Sequence, residues 1–388
     1  MNNFSYYNPT KLVFGRDIIK CIGQELAANN VKKVLMLYGK GSIFKNGVYD
    51  TVSASLKDNK IEWVEVGGVK ANPVISKVRE AISVSRENDV DAIVCLGGGS
   101  VYDSAKAIAA AYYHDGDAWD LFAKEDLDIS KALPIYGVLT ISATGSEMNS
   151  GGVITNEETL SKWSFGSPLV FPKVSFLDPS IQSSLPEKQT INSIVDILTH
   201  LYEFYFDGTE NVDLMMGYTE AIMKTTIEHG KVLLNDPSNY ESRAELALSG
   251  TLALNRSTGM GRSGGDWSTH LIEHALSAIY DISHGAGLAI VFPAWAKYVY
   301  KDNLPAFVRF AENIFNIKEG TDEEKALKGI DSVIEFYKSI GAPTSLKDIN
   351  VGLEDIDAIT ENAARIAPFG TVKPLYKEDI YNILKLAL

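Results

Sequence analysis

The sequence has 388 residues, a formal net charge of -14, a hydrophobic fraction of 45% and a charged fraction of 22%. Its length exceeds the roughly 100–200 residues of one domain, so we expect two domains that share a cleft. The acidic balance and the lack of basic runs disfavour nucleic acid and anionic lipid as partners, because phosphate contacts depend on lysine and arginine. Since no apolar run is long enough to span a bilayer and the start does not resemble a secretion signal, we expect a cytoplasmic protein without a membrane partner.

The first part of the chain alternates short β-branched runs with helical patterns. We predict strands at 34–38, 61–66, 91–96 and 135–141, and helices at 48–56, 74–85 and 101–113. This alternation is typical of parallel strands joined by crossover helices. We therefore predict an α/β dinucleotide-binding domain over residues 1–180.

A glycine-rich run, which we call the glycine turn, follows the third predicted strand and comprises Gly97, Gly98, Gly99 and Ser100. A strand that ends in glycines at a helix N-terminus lets backbone N–H groups approach a phosphate, whose charge the helix dipole favours. The run is not a G-x-G-x-x-G fingerprint, because Tyr102 stands where a glycine is required. A tight turn that binds no ligand is an equally good interpretation of the glycines alone.

A second turn, which we call the ribose turn, follows the first predicted strand and runs Gly39, Lys40, Gly41, Ser42. It contains no acidic residue to bind a ribose 2'-hydroxyl, whereas Lys40 and Ser42 suit a 2'-phosphate, so the turn slightly favours NADP(H) over NAD(H). A solvated loop lysine is the alternative. A polar segment from Thr140 to Asn149 ends the fourth predicted strand, at the sheet edge where ligands collect.

Strand signals largely stop after residue 179, and amphipathic segments follow. They lie at 190–205, 219–234, 242–254, 267–279, 286–298 and 306–315. We therefore predict an all-helical domain over residues 181–388.

Five of the six histidines lie in this helical half, and His200, His270, His274 and His284 fall in one stretch of it, together with a carboxylate at helical spacing. Asp196 and His200 are four residues apart, as are His270 and His274, and His284 opens a further helix. Any one pair is usually a helix-surface contact, and a lone buried histidine usually belongs to the core. If three helices converge, one carboxylate oxygen and three imidazole nitrogens form a ligand set of intermediate hardness, which suits Fe(II) or Zn(II). The two cysteines are too few for a thiolate site.

The chain resembles the iron-containing (group III) alcohol dehydrogenases, in the branch of butanol dehydrogenases and broad aldehyde reductases. The resemblance spans nearly the whole chain and is carried by residues 8–11, 97–100, 143–149, 196 with 200, 266–274 and 284–287. It implies a dehydroquinate synthase-like fold, in which an α/β nucleotide-binding domain with a parallel sheet precedes an all-helical metal-binding domain. We also expect a homodimer.

The resemblance also assigns roles to individual residues. It implies that Asp196, His200, His270 and His284 bind the metal, and that His274 is a pocket residue near the nicotinamide. Cofactor contacts are implied, besides the ribose turn, for Gly98, Gly99, Ser100, Asp103, Thr140, Thr144, Asn149 and Lys162. Lys40 departs from the Gly-Gly-Gly-Ser turn of NADP-preferring relatives, which leaves the coenzyme preference open.

The implied activity is the NAD(P)(H)-linked interconversion of a small aliphatic alcohol, such as butanol, and its aldehyde. The metal would polarise the substrate oxygen while hydride is transferred, and His274, the ribose hydroxyls or water would carry the proton. Two alternatives are a dehydroquinate synthase-like lyase that uses a metal and NAD, and a non-enzymatic metal- or nucleotide-binding protein. The lyase is disfavoured, because its phosphorylated substrate requires basic residues and the stretches around the histidines offer almost none beyond Arg262.

Overall fold

A computed structural model describes residues 1–124 and 126–388. The chain divides into two compact units. Residues 7–185 and 236–255 form one, which we call the α/β unit, and residues 1–6, 186–235 and 256–388 form the other, the helical unit. Among the described residues, no helix is both long and apolar enough to cross a bilayer.

The α/β unit is built on a parallel sheet, as predicted. The strands of the described residues are β1 (Lys11–Phe14), β2 (Lys33–Tyr38), β3 (Glu62–Val66), β4 (Ala92–Gly97), β5 (Ile135–Leu139), β6 (Gly151–Asn156), β7 (Ser161–Gly166) and β8 (Val174–Leu177). The sheet has the order β1-β8-β5-β4-β2-β3 and every pairing in it is parallel. The strands β6 and β7 form a separate antiparallel hairpin.

Helices cover the sheet and make up the helical unit. They are α1 (Ile22–Ala28), α2 (Ser42–Lys45), α3 (Val48–Asp58), α4 (Ile75–Glu87), α5 (Gly99–Ala111), α6 (Asp120–Ala123), α7 (Glu187–Tyr205), α8 (Asp213–Asn235), α9 (Tyr240–Leu254), α10 (Ser268–Tyr280), α11 (His284–Val299), α12 (Leu304–Phe315), α13 (Asp322–Ser339), α14 (Ile356–Ala363) and α15 (Lys377–Leu386). The predicted helical half is confirmed. Within it, α9 packs with the α/β unit.

The alternation of side chains along β2 explains why both faces of the sheet are covered. Leu35 and Leu37 belong to an apolar cluster that includes residues of α4 and α5. Val34 and Met36, on the opposite face, belong to a second cluster that includes residues of α1 and α3. A parallel sheet that is buried on both faces is a rigid platform, so functional groups concentrate in the turns at its strand ends.

The strand order places the two predicted ligand turns next to each other. From β2 the chain moves to β3 on one side, and from β4 it moves to β5 on the other side. The order therefore reverses between β2 and β4, and ligands of open α/β sheets bind at the carboxyl ends of the strands at such a switch point. The ribose turn follows β2 and the glycine turn follows β4. Because β1 was not predicted, β4 is the fourth strand of the chain and not the third.

Candidate active site

The helix α7 supplies the first two candidate metal ligands, Asp196 and His200. Each is only 4% exposed. They lie one helical turn apart, and His200 Nδ1 is 3.4 Å from Asp196 Oδ1. The predicted placement of both groups on one helix face is therefore confirmed.

The helices α10 and α11 bring two further imidazoles to the same oxygen. The Nε2 atoms of His270 and His284 lie 3.9 and 3.7 Å from Asp196 Oδ1. Donor atoms of a tetrahedral ion with bonds near 2.0–2.1 Å are about 3.4 Å apart. Asp196, His270 and His284 each offer a donor atom within 4.8 Å of those of the other two. His200 adds a nitrogen 3.4 Å from Asp196 Oδ1. These four residues, which we call the donor set, have a chemistry that fits a divalent ion of the Fe(II) or Zn(II) type.

Burial keeps the imidazole of His200 in the form that a metal requires. The burial of the ring, and then the neighbouring His270 and His284, lower the pKa of His200 well below its usual value. A neutral imidazole offers a lone pair to a metal, whereas an imidazolium does not.

The buried carboxylate of Glu203, on α7, orients His270. Its Oε1 accepts a hydrogen bond from His270 Nδ1 at 2.6 Å and from the His270 backbone N–H at 3.2 Å, while Oε2 accepts from Trp267 N–H at 2.6 Å. With Nδ1 as the donor, the lone pair of Nε2 faces Asp196. Burial, and then the nearby charge of Asp266, raise the pKa of Glu203 well above its usual value, and a cation in the donor set would offset this cost.

A second buried carboxylate, Glu273 on α10, does the same for His284. Glu273 Oε2 contacts His284 Nδ1, and Oε1 accepts a hydrogen bond from Ser277 Oγ. Glu273, His274 and His284 also lie close enough together to be considered as metal ligands. The direct contact between Glu273 and His284 leaves no room for an ion between them, so we interpret it as a hydrogen bond.

The sequence analysis did not identify either carboxylate. Glu203 lies three residues after His200, and Glu273 three residues after His270. This spacing puts each of them near a ligand on its own helix. Each, however, bonds to the histidine of the following ligand-bearing helix, a pairing across helices that local spacing does not encode.

His274 and Trp267 lie beside the donor set. The His274 ring is 5.6 Å from the His284 ring and 6.4 Å from that of His270, and the residue is 8% exposed. The Trp267 ring is 5.3 Å from the His270 ring and 5.7 Å from that of Phe204. These aromatic rings form an apolar wall next to the donor set.

In the α/β unit, the glycine turn is a cradle that has no space for side chains. A Cβ on Gly98 would lie 2.1 Å from Ile141 Cγ2, and a Cβ on Gly99 would lie 2.4 Å from Thr144 Oγ1. The backbone is therefore bare where α5 begins, and a pyrophosphate fits against such a helix N-terminus.

The other predicted cofactor residues gather around this turn. The backbone N–H of Thr140 donates to Gly97 O at 3.0 Å. The hydroxyl of Ser100 donates to Ala71 O, and Lys162 Nζ donates to the side chain of the adjoining residue, Asn72, at 3.2 Å.

Asp103 and Asn149 lie behind the turn, where their side chains bond to protein groups. Asp103 accepts hydrogen bonds from Ser146 Oγ at 2.6 Å and from Val153 N–H at 3.0 Å. Asn149 Nδ2 donates to Gly145 O at 3.1 Å.

A carboxylate that the sequence analysis missed lies beside the ribose turn. Glu65, on β3, accepts hydrogen bonds from Tyr38 OH at 2.9 Å, Tyr49 OH at 2.6 Å and Trp63 Nε1 at 2.9 Å. Partial burial alone would raise the pKa of Glu65, but these three donors lower it below its usual value. Tyr38 is the last residue of β2 and directly precedes Gly39, so Glu65 bonds to the residue just before the ribose turn.

Comparison with known proteins assigns both halves of the chain. Residues 9–179 match the family model of iron-containing alcohol dehydrogenase, and residues 190–388 match the C-terminal model of the Fe-containing alcohol dehydrogenase family. The chain is 40% identical to NADH-dependent butanol dehydrogenase A of Clostridium acetobutylicum, over 99% of both chains. It is 35% identical to the NADPH-dependent aldehyde reductase YqhD of Escherichia coli, over 92% of both chains. The crystal structure of NADH-dependent butanol dehydrogenase A from Thermotoga maritima is similar, with a TM-score of 0.97 and 50% identity over 100% of this chain and 99% of that one.

Proposed function

This chain belongs to the family of iron-containing alcohol dehydrogenases, and from that premise we propose that it interconverts a short aliphatic alcohol and its aldehyde with NAD(H) and one divalent ion. The oxidoreductase class follows from the family. The substrate, the coenzyme and the roles of individual residues are our proposal. Butanol and butyraldehyde are the proposed substrate pair, because relatives of this chain are butanol dehydrogenases by name.

The observation that carries the proposal is that the three imidazoles of the donor set all lie close to its one carboxylate oxygen. Three imidazole nitrogens lie within 4 Å of Asp196 Oδ1, at 3.4, 3.9 and 3.7 Å. Fe(II) or Zn(II) bound there would act as a Lewis acid that polarises a carbonyl and favours the alkoxide form of an alcohol. The protein keeps His200 neutral by burial, and Glu203 and Glu273 hold two of the other imidazoles in place.

The surroundings of the donor set suit a small apolar substrate. The Trp267 ring contacts the His270 ring, and Phe204, which is 6% exposed, packs against Trp267. Apolar and aromatic walls exclude water, and they strengthen the electrostatic interactions of the groups that remain.

We propose NAD(H) as the coenzyme, in place of the NADP(H) that the ribose turn slightly favoured. The two NADH-dependent relatives support this choice, whereas YqhD is NADPH-dependent by name.

We propose His274 as one route for the proton, since it lies one helical turn from His270 and its ring is near that of His284. In His274→Ala, the turnover rate should fall and its pH profile should change, while the metal content remains. An unchanged rate and pH profile would exclude this route and leave the ribose hydroxyls and water.

Membership in the family argues against the two alternatives. A lyase with a phosphorylated substrate would require basic groups near the donor set. Arg262 is buried and donates instead to Phe204 O at 2.8 Å and Thr258 O at 3.0 Å. The homodimer and the cytoplasmic location stay predictions.

The experiment is a coenzyme comparison on one aldehyde. Purified protein loaded with Fe(II) or Zn(II) should consume NADH in the presence of butyraldehyde, and should consume NADPH more slowly. Faster turnover with NADPH would contradict the coenzyme proposal alone, and no turnover of any aldehyde with either coenzyme would contradict the proposed function.

A further inference from the structure

Lys106, on α5, is a lysine with no exposed surface. A buried ammonium is costly unless each of its donors and its charge are matched. Its Nζ donates to Asn149 Oδ1 at 2.7 Å, to Gly151 O at 2.7 Å and to Ser146 Oγ at 2.8 Å. All three N–H groups of the ammonium are therefore used, and all three acceptors lie on the stretch 146–151, which follows β5 and ends at the first residue of β6.

The carboxylates of Asp103 and Glu147 balance the charge of this ammonium. Asp103 accepts a hydrogen bond from Ser146 Oγ at 2.6 Å, so one hydroxyl links the ammonium to the carboxylate. Burial lowers the pKa of Lys106 to about 8, and the charges of Asp103 and Glu147 act in the opposite direction. The ammonium is thus the main form at neutral pH.

The contacts of Lys106 continue a stripe along one face of α5. Gly99, Asp103 and Lys106 are four and then three residues apart, so they lie above one another on the helix. Each of them meets the same stretch of chain: Gly99 meets Thr144, and Asp103 meets Ser146 and Val153. Lys106 forms the end of the stripe that is farthest from the glycine turn.

Residues next to this stripe form one side of the glycine turn, where the coenzyme is proposed to bind. Thr144 occupies the space beside Gly99, and Ile141 occupies the space beside Gly98. The width of the cradle therefore depends on how firmly the stretch from Thr144 to Gly151 is held against α5.

We propose that Lys106 is a positioning residue for the coenzyme: its ammonium fixes the stretch 144–151 against α5 and so sets the width of the glycine turn. This inference rests on the proposed coenzyme site. It also gives a role to Asp103 and Asn149, which hold the wall of the cradle from behind through the hydrogen bonds described above.

The test compares NADH binding and stability in lysine variants of the metal-loaded protein. In Lys106→Met, the dissociation constant of NADH, measured by the fluorescence of the bound coenzyme, should rise about tenfold or more. The KM for NADH should rise with it, while the bound metal content remains at the wild-type level, because the donor set belongs to the other compact unit. Lys33→Met is the matched control, since Lys33 lies on β2 of the same unit and its Nζ donates to Asn88 Oδ1 at 3.4 Å, away from the stretch 144–151.

A second control separates positioning from simple loss of stability. Asp91 precedes β4 at the opposite end of the sheet and accepts hydrogen bonds from the backbone N–H groups of Lys32 and Lys33. Asp91→Ala should lower Tm and leave the NADH dissociation constant unchanged. If Lys106→Met does not fold, Ser146→Ala carries the test. It removes one of the three acceptors of the ammonium and the link to Asp103 but keeps the other two acceptors, and its dissociation constant for NADH should rise about threefold.

Wild-type affinity for NADH in a folded Lys106→Met, or in Ser146→Ala, would overturn the inference. An equal loss of affinity in Lys106→Met and Asp91→Ala would also overturn it, since stability alone would then explain the effect. A wild-type protein that binds no NADH would contradict the proposed function instead.

Discussion

Asp196 Oδ1 is the donor atom of the proposed metal site that lies near all three imidazoles. The three imidazole donors that surround it come from α7, α10 and α11, at distances between 3.4 and 3.9 Å. Because each of the four donors contributes to holding the ion, removing any one should weaken its binding strongly.

His284→Ala is the sharpest test of this arrangement, since His284 is 25% exposed and its loss leaves little buried space. We expect the bound metal and the alcohol dehydrogenase activity to be lost while the fold remains. Metal analysis after gel filtration measures this, with circular dichroism as the check of folding. His114→Ala, in the α/β unit, is the matched control and should keep its metal; full metal retention by His284→Ala would remove it from the donor set.

Substitutions of Glu273 should lower the metal affinity by an amount that depends on the new side chain, because Glu273 acts on the metal through His284. Carboxylates that orient metal-bound histidines contribute about 10–100-fold in metal affinity. Glu273→Ala should lose that much, and Glu273→Gln should lose less because its amide oxygen still accepts a hydrogen bond. Competition with a chelating dye measures the affinity.

The control for Glu273 is Glu220→Gln, which changes a carboxylate on α8 that accepts hydrogen bonds from Arg309 and Tyr205, two residues outside the donor set. It should leave the metal affinity unchanged. Equal affinities in Glu273→Ala and the wild type would show that His284 needs no such support.

At the residue scale, the sequence predicts what helical spacing can express. Asp196 with His200 was recognisable because four residues are one turn. The roles of Glu203 and Glu273 were not, because their partners are 67 and 11 residues away in the chain. The bond of Glu65 to Tyr38 was not predicted for the same reason, because Glu65 lies on the neighbouring strand β3.

Among the elements, the glycine turn is the one whose shape is most constrained by its neighbours. In Gly99→Ala the new methyl group would meet Thr144 within 2.5 Å, which requires the wall of the cradle to shift. We expect a loss of stability of about 1–3 kcal/mol and weaker NADH binding, measured by thermal unfolding and coenzyme fluorescence.

Gly217→Ala, in the second turn of α8, is the control for this substitution. A Cβ at this position meets no atom within 4 Å. Since alanine favours helices over glycine, stability should rise by about 0.5–1 kcal/mol. A Gly99→Ala protein with unaltered stability and NADH affinity would show that the cradle tolerates a side chain.

β1, β8 and α13 are among the elements that the sequence analysis missed, for two different reasons. β1 and β8 are four residues each, which is too short for a clear period-2 pattern. α13 is long, but its mean hydropathy is low. Its start carries a capping box in which Thr321 and Glu324 cap each other's backbone N–H, and that signal was available in the sequence.

For the whole molecule, the sequence predicts the succession of an α/β half and a helical half, and both are confirmed. It does not predict that residues 236–255 return to the α/β unit. This return depends on contacts such as that of Thr251 Oγ1 with Glu147 Oε1 at 2.5 Å, which joins residues 104 positions apart. No local pattern encodes such a pairing.

The stability of the helical unit should depend on acid pH through Glu220. Its Oε1 accepts hydrogen bonds from Arg309 Nε at 2.7 Å, Tyr205 OH at 2.8 Å and Asn313 Nδ2 at 3.0 Å, which join α8 to α7 and α12. Burial alone would raise the pKa of Glu220, but these donors lower it below 4.5. The stabilisation is therefore fully present above pH 4.5 and is lost as the pH falls through the lowered pKa.

The variant Glu220→Gln measures this contribution. At neutral pH it should be less stable than the wild type by about 1–3 kcal/mol. The difference in Tm should shrink as the pH falls below 4.5. A difference that stays constant through that range would show that the charge of Glu220 does not contribute.

The central claim is that the donor set makes this protein a metal-dependent, NAD(H)-linked alcohol dehydrogenase. The measurement that tests it most directly is a titration of Fe(II) or Zn(II) into the metal-free protein. The signal is the rate at which the protein consumes NADH in the presence of butyraldehyde. The rate should rise from the background to a plateau at one ion per chain, and His284→Ala should show no rise. Turnover by the metal-free protein, or none at any metal concentration, would contradict the claim.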